Sequence, residues 1–118
     1  LNSSMFDATK QLLDGYVSSS ESFLSGLGYL YGTEAIDLTL VSLLSRCIKQ
    51  ITDVRDLPWL AIHLLEEPDH TLSVEQSLLE NFNSEQQEVI LNAAENLWTQ
   101  WSDFFDDIGS NIFQSAVA

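Results

Sequence analysis

Between positions 85 and 108 the chain carries Val89, Ile90, Ala93, Leu97, Trp101, Phe104, Phe105 and Ile108, apolar residues that recur at intervals of three and four. An α-helix gathers such positions on one face, whereas a strand would scatter them over both faces of a sheet. The run over 85–105 predicts an amphipathic helix roughly 30 Å long at 1.5 Å per residue. Nowhere do apolar and polar residues alternate with period two over a strand's length. The expected fold is therefore all-α, a compact bundle-like or orthogonal domain of five to six helices, with residues 1–118 forming a single domain.

The other helical signals are less regular. Phe6, Leu12, Leu13, Tyr16 and Val17 predict a short helix over 4–17, and Phe23, Leu24, Leu27, Leu30 and Tyr31 a second over 20–31. Gly26, Gly28 and Gly32 weaken that second helix by about 1 kcal/mol each, unless they let a neighbouring helix approach closely. Thr33 can cap a third helix over 33–52, with Glu34 and Asp37 in the first turns, where the helix dipole favours acids. Its stripe of Ile36, Leu40, Leu43, Leu44, Cys47, Ile48 and Ile51 is wide, and Cys47 is expected there as a buried, inert thiol. Asp56 and Pro58 open a fourth helix, and Pro68 is expected to end it. Ser73 with Gln76, and Ser84 with Gln87, have capping-box spacing and open the fifth and sixth. Gly109 is expected to stop the last helix, leaving 110–118 as a C-terminal tail. Residues 1–4, ahead of Met5, read as an appended remnant or a disordered start.

Charge limits the partners. Lys and Arg number 4 against 18 Asp and Glu, a net charge of −14, and no Lys or Arg follows Arg55. Such a surface repels phosphates, which argues against direct binding to nucleic acid or to anionic lipid, and attracts basic proteins. No apolar run approaches the ~20 residues that span a bilayer. The single cysteine rules out an internal disulfide and no secretory leader pattern is visible, so a reducing, cytoplasmic setting is expected.

Within the acidic half, Glu85, Glu88 and Glu95 step by three and seven, which places them together on the last helix and away from its apolar stripe. Asp103, Asp106 and Asp107 flank Phe104 and Phe105 near the expected C-terminal end, where the dipole disfavours acids and a basic partner would compensate them. Trp98, at the edge of the stripe, and Phe105 are candidate apolar anchors beside those acids. The partner-binding set expected is thus Glu85, Glu88, Glu95, Trp98, Asp103, Phe105, Asp106 and Asp107. The function expected is a small acidic protein-interaction module (an adaptor, assembly chaperone, immunity protein or inhibitor) that docks on a basic protein surface. The broad stripe of the third helix and the glycines before it also suggest a homodimer.

Two other readings compete. A nucleic-acid mimic would block a DNA- or RNA-binding protein with acids arranged in two rows at phosphate spacing. A small helical metal-binding protein or enzyme would use His63, Glu67 and His70, where His63 and Glu67 are four apart and Glu67-x-x-His70 has the spacing of helical carboxylate metal sites. Such sites draw on further carboxylates from other helices, and Pro68 is expected to break the helix between Glu67 and His70. One cysteine and two histidines make no zinc pattern, and no nucleophile motif or phosphate loop is present. No metal ligand set, no cofactor and no catalytic residue is therefore expected, and the chain reads as a non-enzyme.

Overall fold

The computed structural model describes residues 3–53 and 57–117, with side chains over 6–53 and 57–111. It is all-α: α1 spans Ser3–Ser19, α2 Phe23–Ile51, α3 Pro58–Asn81 and α4 Ser84–Val117, and no strand occurs among the described residues. Four helices stand among the described residues where five to six were expected, because two expected boundaries, at Gly32–Thr33 and at Pro68, lie inside α2 and α3.

Gly26, Gly28 and Gly32 lie inside α2, which runs straight on to Ile51. Glycine lowers helix propensity but keeps the helical backbone available, and packing decides the outcome. A Cβ added at Gly28 would collide with the Ile90 carbonyl oxygen and lie 2.5 Å from the Ala93 Cβ of α4, so only a glycine permits this crossing. Pro68 lies inside α3, whose buried Leu60 and Leu78 before and after it hold the helix across the missing N–H. Gly109 lies inside α4, in open space. Ser73 is accordingly interior to α3 and caps nothing. The capping box ahead of α4 is displaced by one residue from the expected pair: Asn83 Oδ1 accepts from the Gln86 N–H at 2.9 Å, and Gln86 Oε1 accepts from the Asn83 N–H at 3.1 Å. The expected cap at Asp56 lies outside the described residues.

In space, α1, α2 and α4 form a three-helix bundle, and α3 lies against the outer side of α2. Leu12, Tyr29 and Leu97, one from each bundle helix, make the centre of the core, with Tyr16, Ala93, Trp101 and Phe104 packed around them. A hydrogen-bond chain crosses the same region. Trp101 Nε1 donates to Tyr16 Oη at 3.2 Å, and the Thr33 hydroxyl donates to the Tyr29 carbonyl at 2.8 Å. With the Thr33 proton committed there, the 2.8 Å contact between Tyr16 and Thr33 has the tyrosine as donor. Tyr29 Oη donates to Gln100 Oε1 at 3.0 Å and accepts from Asn96 Nδ2 at 2.8 Å, which fixes α2 on α4.

The molecule is flat and extended. Its principal extents are 52 × 36 × 17 Å, and its radius of gyration is 16.7 Å. A compact domain of this length would have a radius of roughly 13–14 Å. Because α3 has only α2 as a substantial neighbour, much apolar surface stays uncovered: Trp59, Ile62, Leu65, Leu72 and Leu79 on α3, and Leu43, Leu44 and Ile51 on α2, are exposed. Cys47 is exposed as well, contrary to the buried thiol expected, because the broad stripe of α2 extends beyond the width its neighbours cover. No helix among the described residues is long and apolar enough to cross a membrane.

Candidate functional site

The continuous α4 places the predicted acids in one row. Glu85, Glu88, Glu95, Asp103 and Asp106 follow one another at intervals that return to the same side of a helix, and all are exposed. From Glu85 to Asp106 the row runs roughly 30 Å. None of the five has a basic partner among the described residues, where Lys10 pairs with Asp14 within α1 and the His70 imidazole lies beside Glu34. Glu85 lies in the first turn of α4, where the dipole stabilises it. Asp103, Asp106 and Asp107 do not lie at the helix end as expected, since α4 continues ten residues beyond Asp107 to Val117. The dipole therefore contributes little at these three, and their own mutual repulsion is what a cation would relieve.

The predicted residues do not all share this surface. Asp107 turns toward α1 and, with Asp103 and Asp106, lines an open concavity completed by Asp7, Ala8 and Gln11. Asp7 thus joins the acidic surface from another helix, a neighbour that spacing along one helix could not reveal. Trp98 is half-buried: its Nε1 donates to the Gly32 carbonyl at 2.9 Å and its ring packs on Tyr31 at 6.5 Å, so it ties α4 to α2. Phe105 is 46% exposed and stacked on Trp101 at 5.6 Å, which leaves one apolar face open beside the acids.

A second cluster lies between α2 and α3. The buried residues of α3 are Leu60, Glu67 and Leu78, so a glutamate occupies the middle of a contact otherwise made by leucines. Glu67 is 4% exposed. Opposite it stands Glu34 of α2, and on the next turn of α3 stands His70, with Nδ1 3.9 Å from Glu34 Oε2. One carboxylate oxygen of each glutamate, Oε2, is buried without a hydrogen-bond partner. The Thr71 hydroxyl, 3.1 Å from the backbone carbonyls of both Glu34 and Glu67, ties the two helices together at this point. Burial, and then the charges of Asp37 and Glu34, push the Glu67 carboxyl above its ordinary range, while the nearby His70 opposes the shift. Ligand atoms of Glu34, Glu67 and His70 lie within 4.8 Å of one another.

Of the three residues weighed for a metal from sequence, Glu67 and His70 are thus brought together and His63 is not. His63 stacks on Trp59 at 4.0 Å between centroids, with Nδ1 2.7 Å from the Trp59 carbonyl. The unbroken helix at Pro68 corrects the expectation that Glu67 and His70 would be separated. Glu34 was missed because its place after Thr33 suggested a dipole-favoured first turn, whereas it lies mid-helix. A usable signal was present: Glu34-x-x-Asp37 puts two acids on the turn of a helix that is otherwise broadly apolar. No family model matches the chain, and no curated protein or solved structure matches it.

Proposed function

We infer that the chain is a protein-interaction module that docks on a basic protein surface through α4. The supporting observation is the exposed, unpaired row of Glu85, Glu88, Glu95, Asp103 and Asp106, extended by Asp107 and by Asp7 of α1. A row of one sign, roughly 30 Å long, steers a partner of opposite charge and raises its rate of encounter. Affinity needs more than rim charges, and Phe105, exposed at one end of the row, supplies an apolar anchor.

The test is capture from a cell lysate on the immobilised chain, beside a variant in which Glu85, Glu88 and Glu95 become Gln and Asp103 and Asp106 become Asn. A basic protein retained by the parent chain, released by salt and not retained by the variant supports the reading. Equal capture of the same proteins by both chains refutes it.

A further inference from the structure

We propose that Glu34, Glu67 and His70 bind one divalent transition-metal ion between α2 and α3. Packing gives the first reason. A helix contact usually fills its centre with apolar groups, and burying a carboxylate there without a partner is costly. Here Glu67 is 4% exposed, faces a second carboxylate, and has an oxygen with no hydrogen-bond partner. A leucine would pack this position at less cost, so the arrangement fits a contact that is completed by a cation. No Lys or Arg among the described residues supplies one: Lys10 pairs with Asp14 on α1, and the nitrogen recorded beside the pair is Nδ1 of the exposed His70, 3.9 Å from Glu34 Oε2.

The second reason is the donor set. Metal–oxygen and metal–nitrogen bonds near 2.0–2.2 Å put neighbouring ligand atoms roughly 3–3.5 Å apart. The three donors already lie within 4.8 Å of one another, a gap that side-chain rotation can close. Two carboxylates with one imidazole suit Zn²⁺, Mn²⁺, Fe²⁺ or Co²⁺ and not Ca²⁺, which takes six to eight oxygens. Glu67-x-x-His70 with a glutamate from a facing helix also supplies half of the ligand set that helical bundles use for paired metals, so one ion per chain is the expected stoichiometry. Three protein ligands leave coordination positions open on the His70 side, the exposed side of the cluster.

The experiment uses the full chain, freed of metal by a chelator and titrated with Co²⁺ and Zn²⁺. Visible absorption of Co²⁺ reports ligation, and calorimetry reports stoichiometry and affinity. One Co²⁺ per chain is expected, with visible bands and a raised unfolding temperature. Glu67→Gln should weaken binding at least about tenfold, the loss ordinary for even an outer partner of a metal ligand. His70→Gln should do the same and shift the bands as nitrogen ligation is lost. Because His70 is on the surface, that variant tests the site even if Glu67→Gln fails to fold. Glu80→Gln, an exposed acid of α3 outside the cluster, should leave binding unchanged. Binding of several ions per chain, weakened equally by Glu80→Gln and matched by Ca²⁺, would show diffuse attraction to an acidic surface and overturn the proposal. So would undiminished one-ion binding by both the Glu67→Gln and His70→Gln variants.

Discussion

A methyl group at position 28 would meet backbone. In Gly28→Ala the new Cβ would collide with the Ile90 carbonyl oxygen, and would lie 2.5 Å from the Ala93 Cβ and 3.2 Å from the Ala94 amide nitrogen. Ordinary contacts between such atoms begin near 3.5 Å, and no rotamer change moves a carbonyl, so α2 and α4 must separate by about 1 Å. A gap of that size forfeits a quarter to a half of the dispersion energy along the crossing, where Ile90, Ala94 and Leu97 are buried. Overpacking of this kind costs about 1–3 kcal/mol. Replacing an interior helical glycine by alanine returns roughly 0.5–1 kcal/mol, so Gly28→Ala should destabilise by about 0.5–2 kcal/mol. Gly26 and Gly109 are the controls. A Cβ at Gly26 meets nothing closer than 3.5 Å, and one at Gly109 meets nothing within 4 Å. Both alanine variants should therefore be more stable by about 0.5–1 kcal/mol. Urea unfolding followed by far-UV circular dichroism separates the cases, since m-values of about 1–3 kcal/mol/M turn these energies into midpoint shifts of opposite sign. Equal shifts for all three variants would refute the close approach of α2 and α4.

Tyr29→Phe removes the donor to Gln100 and the acceptor for Asn96, and should cost about 1–2 kcal/mol in the same assay with helix content unchanged; an unchanged midpoint would contradict that network. In the metal-free chain, Glu67 holds its proton to higher pH when folded than when unfolded, so its contribution to stability falls as pH rises from the ordinary carboxyl range through the raised folded value. Glu67→Gln removes that dependence. With chelator present it should be more stable than the parent at neutral pH, with the difference closing on acidification, and a less stable variant at neutral pH would contradict the raised Glu67 carboxyl. The uncovered apolar side chains of α2 and α3 should also drive self-association at high concentration, giving by light scattering a mass of twice the 13.2 kDa chain; a monomer mass at every concentration would contradict it.

The helical class and the buried face of α4 were legible because Ile90, Ala93, Leu97, Trp101 and Phe104 repeat over several turns, and the structure turns these same residues inward. Boundaries were less legible, since Gly28 and Pro68 are local breakers whose cost is settled by partners distant in sequence. The exposure of Glu85, Glu88 and Glu95 followed from spacing alone. The pairing of Asp7 with Asp103 and Asp106, and of Glu34 with Glu67, joins residues on different helices, and periodicity within one helix carries no information about either. Cys47 shows the same limit from the other side: its stripe is apolar, but only tertiary packing decides how much of a stripe is covered.

The dissociation constant of the captured basic partner, measured across a range of salt concentrations for the parent chain and for the chain neutralised at Glu85, Glu88, Glu95, Asp103 and Asp106, tests the docking role of α4 most directly. The expected result is a parent affinity that weakens steeply with salt, and a variant that is weaker at low salt and nearly insensitive to it. The same affinity and the same salt dependence for both chains would contradict it.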